Sequence, residues 1–416
     1  MTVDAGRARK LNISGVPLSF ALALSLTMAV AAVVVPSLGA LSSFIIDEFG
    51  MTTAQFGWLV ASVPLASATL APTSGALADR HGGRRMILTL LTIGVGVFLG
   101  LAMAPAFYVL VAVGLLAGAM NSIGNPATNR LIASILPIGK RGLIMGIKQS
   151  GIPAGIFLAG VFFPFAAQTM GWRGALAVAS VVPAAILLFV WAVLRPESPN
   201  RFGTAVMGPG IEFSLTMAGP SVAALVVYSF LMGFGDVAII AFGPLYLQEV
   251  IHWDVALAGR AIAVAGALGI GARILWSVWA ERRQRLPSTL VVMACSSFCA
   301  ALAFWIASAT TDRLVWVGVA LFGSVSFAWN AIVYLIAIST GRTANPGGAS
   351  GWVMLGFMTG NTVGPIAFGH TVDLTGSYDA GWIMVLTSFG LAVLHAVRFT
   401  RRKAKGGIDG DPSRAS

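Results

Sequence analysis

Apolar stretches that are each long enough to cross a lipid bilayer follow one another along almost the whole chain of 416 residues. A hydrocarbon core of about 30 Å takes roughly 20 helical residues. Twelve stretches meet this length, at 18–44, 54–78, 85–104, 106–136, 143–168, 173–194, 220–248, 255–280, 288–309, 313–340, 345–371 and 379–399. Since 57% of the residues are apolar and only 10% are charged, a soluble domain with a polar surface is excluded. We predict an all-α membrane protein with twelve transmembrane helices.

The first stretch follows Arg7, Arg9 and Lys10, as the apolar part of a secretory signal would. The run from Leu18 to about Leu41 is longer than such a signal, and further spans follow it. We expect it to be kept as the first transmembrane helix.

The basic residues predict an orientation. Placing the N-terminus in the cytoplasm puts twenty of the 26 lysines and arginines on that side, and cytoplasmic loops are enriched in these residues. We expect an inner-membrane protein with both termini in the cytoplasm. The net charge of +11 then reflects orientation and attraction to anionic lipid, and no nucleic-acid partner is expected.

A charged turn at Gly75–Arg85 separates the second and third stretches, and a weaker copy at Ser277–Arg285 follows the eighth. The acids of the two turns, Asp79 and Glu281, are 202 positions apart (281 minus 79), close to half of the chain. The copy indicates two repeats of one membrane unit. The predicted parts are a six-helix bundle at 1–194, a cytoplasmic linker at 195–219 rich in Pro and Gly, a second bundle at 220–400, and a basic tail without regular structure at 401–416.

The turn resembles the pattern Gly-x-Leu-Ala-Asp-Arg-x-Gly-Arg-Arg between helices two and three of the major facilitator superfamily. Asn129-Arg130, Gly142–Gly155 and Gly360–Tyr378 are similar to a subgroup of its bacterial members, some of them like cyanate-type permeases. The resemblance implies two pseudo-symmetric six-helix bundles and secondary transport by alternating access. In the family, the acid of this turn contacts the neighbouring helix end and basic residues across the seam between the halves, and it holds the cytoplasmic gate shut when the protein faces outward. The residues that match this role are Asp79, Arg80, Arg84, Arg85, Glu281 and Arg282.

The alternative for the charged turn is a role only in topology and packing.

The chain departs from the drug/proton antiporters of the family. These usually carry an arginine early in helix four, where this chain has the apolar run around Val113. Their glycine pattern in helix five is not clearly matched by Gly151–Gly155. Both differences weigh against drug antiport.

Asp236 lies about 14 residues, or roughly 21 Å, from the start of helix seven near Val222. A short acidic side chain cannot reach the interface from there, so it needs a cation, a water-filled cavity or a proton. We predict that Asp236 is the proton-coupling carboxylate. The alternative is a structural pair with Arg273 on helix eight.

Arg130 follows Asn121, Asn125 and Asn129 at four-residue steps, which places an amide stripe on one face of helix four. With Lys148 on helix five, Arg130 would make this part of the central cavity positive and suited to an anion. The predicted substrate-binding residues are Arg130, Lys148, Gln149, Asn125, Asn330, Tyr334 and Asn361. The alternatives are side chains that extend to the interface and hydrogen bonds between helices.

Signatures of enzymes, such as a Walker A motif, His-Glu-x-x-His or Gly-x-Ser-x-Gly, do not occur in the sequence. Four dispersed His and two Cys do not suggest a metal centre, and no cofactor is expected. We therefore expect a monomeric, proton-coupled secondary transporter of a small organic solute, with an anion favoured. The alternatives are efflux of hydrophobic drugs and a transport-dead sensor or scaffold on the same fold.

Overall fold

The computed structural model describes residues 12–13, 16–136, 141–194, 215–282, 286–340 and 346–406. Two short strands, β1 (Asn12–Ile13) and β2 (Val16–Pro17), pair antiparallel just before the first helix. All other elements are helical, as the apolar periodicity and length of the segments predict.

The first half contains eight helical segments: α1 (Leu18–Ala32), α2 (Val34–Ala40), α3 (Ser42–Phe49), α4 (Thr53–His81), α5 (Gly83–Met103), α6 (Phe107–Ile135), α7 (Arg141–Ala179) and α8 (Val181–Val193). The first predicted span is broken, with α1 and α2 bent by 50°. Gly171 has a φ of 75°, which favours glycine, so α7 contains the fifth span and the start of the sixth. The sixth span continues into α8.

The second half contains α9 (Leu215–Glu249), α10 (Val255–Arg282), α11 (Leu286–Ala307), α12 (Arg313–Ser324), α13 (Trp329–Thr340), α14 (Pro346–Thr375) and α15 (Tyr378–Gly406). A single 3₁₀ turn at Ser326–Ala328 separates α12 from α13. The tenth predicted span is therefore a broken helix, and its break lies beside the central cavity.

Within the described ranges, nine segments are long and apolar enough to cross a membrane, or ten with the bent pair α1 and α2. One of the nine, Ile144–Val193, has 50 residues and changes direction at Gly171, so it makes two spans. Helix α14 is 30 residues long but less apolar, since it contains Asn361, Pro365 and His370. With these two additions, the twelve predicted spans are confirmed.

Two predicted boundaries differ from the structure. Helix α9 begins at Leu215, so the last five residues of the predicted linker 195–219 are helical. Helix α15 runs to Gly406, so the tail is helical up to that residue, because Arg, Lys and Ala are strong helix formers that continue the hydrogen-bonding pattern. The remaining parts of the linker (195–214) and of the tail (407–416) lie outside the described residues.

Two helix pairs form the seam between the halves: α4 packs along α14, and α7 packs along α10. Gly57 on α4 lies against the backbone carbonyl of Pro365, and Gly369 on α14 lies against that of Thr53. A side chain at either glycine would collide with the opposite backbone. The absence of side chains at these points allows the two helices to touch along one end of the seam.

The seam is closed at this end, which we call the Asp373 side. The opposite end, which carries the turn at Gly75–Arg85, is called the Asp79 side. Most of α4 from Ala54 to Ser67 is buried, whereas most of its residues from Thr69 to Arg80 are not. Near the Asp79 side, α4 is covered mainly on one face, where Ser74 and Ser122 of α6 form a 2.6 Å hydrogen bond. The two halves therefore hold together most closely at the Asp373 side.

Candidate functional site: a central cavity between the halves

A cavity of about 180 Å³ lies between the two halves. Helices α1, α2, α4, α6 and α7 line it from the first half, and α9, α10, α13, α14 and the 3₁₀ turn line it from the second. The polar lining side chains are Ser67, Asn121, Asn125, Gln149, Asp236, Arg273, Asn330, Tyr334 and Asn361. Six of the eight residues predicted for substrate or proton binding are thus on the cavity wall.

Asp236 is buried in α9, with 7% of the residue exposed, and it lines the cavity. Its Oδ2 atom accepts a hydrogen bond from the indole N–H of Trp329 at 2.5 Å. Its Oδ1 atom is buried and has no hydrogen-bond partner among the described residues. A buried carboxyl oxygen without a hydrogen-bond partner is costly to keep charged inside a membrane protein, and binding of a proton would reduce this cost.

Arg273 of α10 lines the same cavity and is 8% exposed. Its Nε–H donates to the backbone oxygen of Phe327 at 3.1 Å, and its Nη1 donates to that of Gln149 at 3.2 Å. The first bond satisfies a carbonyl in the break of the tenth span, and the second crosses to the other half. Asp236 is not hydrogen-bonded to Arg273, but both charged side chains line the cavity and interact electrostatically, so the alternative of a structural pair stays open.

Aromatic rings cover the second-half wall of the cavity. Phe327, Trp329, Tyr334 and Phe357 all line it. The rings of Trp329 and Phe357 meet edge to face, with centroids 5.2 Å apart. Such an arrangement holds the indole in one orientation and presents flat apolar surface beside Asp236.

Lys148 of α7 is completely buried. Its ammonium group donates to the Oδ1 atoms of Asn125 at 3.1 Å and of Asn129 at 2.5 Å. Gln149 also donates to Asn125 Oδ1, at 3.1 Å. Among the described residues, no carboxylate lies within ion-pair distance of Lys148. The amide stripe of helix four thus solvates a buried cation directly behind the cavity wall, and Lys148 does not extend to the interface.

The contacts of Asn125 also fix the direction of its amide. Because Lys148 and Gln149 both donate to its oxygen, its NH₂ group is the part left to face the cavity. Asn121 differs, since its oxygen accepts from Ser67 at 3.2 Å and its NH₂ donates to the carbonyl of Ala31 at 2.9 Å. On the opposite wall, the Oδ1 atom of Asn361 is buried and unpaired among the described residues.

Arg130 is placed differently from the prediction. Its guanidinium lies 3.6 Å from the carboxylate of Asp79, and the two side chains are 31% and 54% exposed. It is not among the described residues that line the cavity. The physical reason is position: Arg130 lies near the end of α6, beside the end of α4, where a long side chain reaches the charged turn more easily than the cavity.

Among the remaining gating candidates, Arg84 has its described contacts within the first half. Arg84 donates to the backbone oxygens of Leu194 at 2.5 Å and Trp191 at 3.1 Å, which satisfies free carbonyls at the end of α8. Arg80, Arg85 and Arg282 are exposed. Glu281 lies in α10, but its side chain is outside the described part of the structure. The ion pair of Asp79 with Arg130 joins two helices of the first half. The structure is closed at the opposite, Asp373 side, so the contact across the seam that the family resemblance implies stays a prediction for the other state.

Asp373, which the sequence reasoning did not select as a site residue, does cross the seam. Its carboxylate accepts hydrogen bonds from the backbone N–H groups of Thr53 at 2.9 Å and Ala54 at 2.8 Å. These groups are free donors at the N-terminus of α4, where a negative charge is favoured. On the same side, Ser43 donates to Gln248 at 2.8 Å across the halves. These contacts close the Asp373 side.

The sequence reasoning also missed Trp329 and gave Arg273 a mainly structural role. Both belong to contacts that depend on the break in the tenth span, and an arginine about five helical turns into α10 was the available signal for them. Taken together, twelve spans in two halves that enclose one polar cavity define a multi-pass membrane protein with a carrier-like architecture.

The comparison with known proteins agrees with this class. The model of the Major Facilitator Superfamily matches residues 18–344, and the chain belongs to this family. A gallate transporter of Pseudomonas putida is 29% identical over 185 residues, which are 44% of this chain and 40% of that protein. A hexuronate transporter of Bacillus subtilis (strain 168) is 23% identical over 388 residues, covering 86% of this chain and 88% of that protein. These relatives are transporters and not enzymes.

The solved structures show the same fold. The crystal structure of a D-xylose-proton symporter superimposes with a TM-score of 0.76 at 15% sequence identity, and the match covers 92% of this chain and 96% of that one. The prediction of two pseudo-symmetric six-helix bundles is thereby confirmed.

Proposed function

We propose that this protein is a secondary transporter that moves a small organic anion across the bacterial inner membrane by alternating access, coupled to protons through Asp236. The proposal that the substrate is an anion rests on the buried charged side chains. Among the described residues, the buried charged side chains are Lys148, Arg273 and Asp236. With Lys148 and Arg273 both protonated, the positive charge in this region exceeds the negative charge whether Asp236 is ionised or protonated, and a buried positive charge favours an anionic solute.

The relatives support this proposal, since gallate and hexuronate are both organic carboxylates. Efflux of hydrophobic drugs receives no comparable support, because three buried charges around one cavity disfavour an apolar solute. In the proposed orientation the Asp79 side faces the cytoplasm, and the structure is the state closed at the Asp373 side. The protein acts as a monomer in this scheme, because each chain contains a whole cavity.

Proton coupling rests on the position of Asp236. Asp236 lines the cavity, one of its oxygens has no hydrogen-bond partner among the described residues, and its other oxygen is held by Trp329. A carboxyl group in this position can exchange a proton with the cavity while the indole keeps its orientation. Gain or loss of that proton changes the charge that the anion meets by one unit, which is a direct physical link between the two solutes.

The test is transport of organic anions by the protein in proteoliposomes that contain a pH-sensitive dye. We expect anion uptake to carry protons, and Asp236→Asn to abolish proton movement while anion exchange continues. Asp312→Asn is the matched control, because Asp312 also accepts from an indole, that of Trp253 at 3.2 Å, but is not among the described cavity residues. Unchanged proton movement in Asp236→Asn would remove this residue from the coupling mechanism.

A further inference from the structure

Lys148 sets the direction of amide side chains beside it. As an ammonium group it can only donate hydrogen bonds, so the atom of Asn125 that lies 3.1 Å from its Nζ atom must be the amide oxygen. Asn129, about one turn further along α6, is fixed in the same way at 2.5 Å. An amide group could otherwise turn over and exchange its oxygen and nitrogen, and the buried cation removes this freedom.

The direction of Asn125 in turn fixes that of Gln149. The same Asn125 oxygen accepts a second hydrogen bond at 3.1 Å, so the Gln149 atom at this contact must be the NH₂ nitrogen. The carbonyl oxygen of the Gln149 side chain is left without this contact. The backbone of Gln149 is also held, because Pro153 has no N–H to donate to the carbonyl of Gln149, and Arg273 donates to it instead at 3.2 Å.

Both directed groups reach the cavity. Asn125 and Gln149 are partly exposed and line it. The NH₂ nitrogen of Asn125 and the side-chain oxygen of Gln149 have no hydrogen-bond partner among the described residues, and neither is among the buried polar atoms without one. The first-half wall of the cavity therefore presents an N–H donor beside a carbonyl acceptor, in an order that Lys148 determines.

We propose that Lys148 is a positioning residue, which acts through Asn125 and Gln149 and fixes this donor and acceptor for recognition of the solute. The assignment rests on the proposed function and adds to it, because there Lys148 contributes only its charge. A charge attracts every anion, whereas a directed pair also distinguishes neutral groups by their hydrogen bonds. A primary amide, which has one acceptor and one donor, can use both members of the pair, and a carboxylate can use only the donor.

The first measurement needs no solute. It records the side-chain NH₂ signals of ¹⁵N-labelled asparagine by NMR in the full-length protein in lipid nanodiscs. The Asn125 signal is identified by its loss in Asn125→Asp, which keeps an oxygen for Lys148 and Gln149. We expect one pair of NH₂ signals from Asn125, with protons in contact with water. In Lys148→Met this pair should shift or double, because both directions of the amide become populated, and the other asparagine signals show that the variant is folded.

Two further variants accompany this measurement. Lys148→Gln should change the Asn125 signal in the same way, because a glutamine can accept as well as donate. Arg130→Met is the control, since it removes a cation of the first half that pairs with Asp79 and is not among the described cavity residues. In this control the Asn125 signal should stay as in the wild type.

The second measurement compares charged and neutral probes by calorimetry. The probes are benzoate and D-gluconate, one aromatic and one aliphatic carboxylate, and their primary amides, benzamide and D-gluconamide. If Lys148 acts through charge alone, Lys148→Met weakens binding of the carboxylates and leaves the amides within about twofold of the wild type. The positioning role predicts that the amides also bind about fivefold more weakly, because one ordinary hydrogen bond contributes roughly this factor.

Gln149→Leu separates the two members of the pair. It should weaken binding of the amides about fivefold and that of the carboxylates by less than about twofold, because only the amides donate to the Gln149 oxygen. Asn330→Leu is the control, since Asn330 lines the same cavity from the second half and has no hydrogen bond to Lys148 in the described part of the chain. It should leave the effect of Lys148→Met on the amides unchanged.

The results that would overturn the assignment differ from those that would overturn the proposed function. If the Asn125 signal in Lys148→Met is the same as in the wild type, Lys148 does not direct the amides, although anion transport stands. If the signal changes but the amides bind equally to both proteins, the solute does not use the pair. If none of the four probes binds to the wild type, the role in recognition is wrong, whereas transport in proteoliposomes decides on the proposed function.

Discussion

Asp373 provides the most direct test of how the two halves are held together. Its two carboxylate oxygens accept hydrogen bonds from Thr53 and Ala54, at the start of a helix in the other half. In Asp373→Asn, one oxygen becomes an NH₂ group that cannot accept, and the negative charge at the helix N-terminus is lost. We expect the closed state of the Asp373 side to become less populated.

The magnitude follows from the contacts and the exposure of this residue. A charge at an exposed helix N-terminus is worth about 0.3 to 1 kcal/mol, and a lost hydrogen bond at an exposed site is at the lower end of about 0.5 to 1.5 kcal/mol. Asp373 is exposed, so solvent screening reduces both contributions. A net change of about 1 kcal/mol corresponds to a roughly fivefold change in the ratio of closed to open molecules.

The same contacts set the pH dependence. Burial alone would raise the pKa of Asp373, but the hydrogen bonds from Thr52, Ala54 and Thr53 outweigh it, so the pKa is below its ordinary value in the closed state. The carboxylate therefore stabilises the closed state at pH values above its ordinary pKa of about 3.9, and this stabilisation is lost as the pH falls through the lowered pKa. Between pH 6 and 8 the effect of the substitution should be constant.

The assay is the distance between spin labels at Asp47 in the first half and Ala309 in the second, both exposed on the Asp373 side. Asp373→Asn should increase the population with long distances about fivefold. Asp379→Asn is the control, because Asp379 accepts from Trp305 at 2.8 Å within its own half. Unchanged distances in Asp373→Asn, or an equal change in the control, would refute the reasoning.

Three further predictions concern the seam, the buried cation and the charged turn. Gly57→Ala should open the Asp373 side in the same distance measurement, because the added methyl group meets the Pro365 carbonyl, whereas Gly75→Ala, with open space around it, should not. Lys148→Met should leave the protein folded in a thermal melt but weaken anion binding by about tenfold or more, since it removes a buried positive charge; unchanged affinity would contradict the proposed electrostatics. Asp79→Asn should change thermal stability by less than about 1 kcal/mol, because its ion pair is exposed, and should lower transport turnover at unchanged binding affinity; unchanged turnover would leave the turn with a role in packing only.

The spans were predictable because the length of an apolar segment is a local property that the bilayer thickness fixes. Their ends were less predictable. The helix that continues to Gly406 and the one that begins at Leu215 extend beyond the apolar core, where hydropathy no longer reports helical structure. The break at Ser326–Ala328 lies inside an apolar segment, so composition does not mark it, and its carbonyls depend on Arg273 from another helix.

The sequence predicted which types of residue form the candidate site, but it predicted only partly which of them line the cavity. Burial of Asp236 follows from its depth in the span, since a short side chain cannot reach the interface. Arg130 and Lys148 have long side chains at similar depths, and sequence position alone cannot say which of them turns inward. The structure turns Lys148 to the amides of helix four and Arg130 to Asp79.

The sequence by itself determined the class of protein: twelve spans, a repeated charged turn, and a few charges that are too costly to place in lipid. These features depend on the composition and order of residues along single helices, which the bilayer selects. Only the tertiary structure decided which charges share the cavity, that Trp329 holds Asp236, and that Asp373 closes one end of the seam. Such contacts join residues from different helices, and their geometry comes from packing that no single helix specifies.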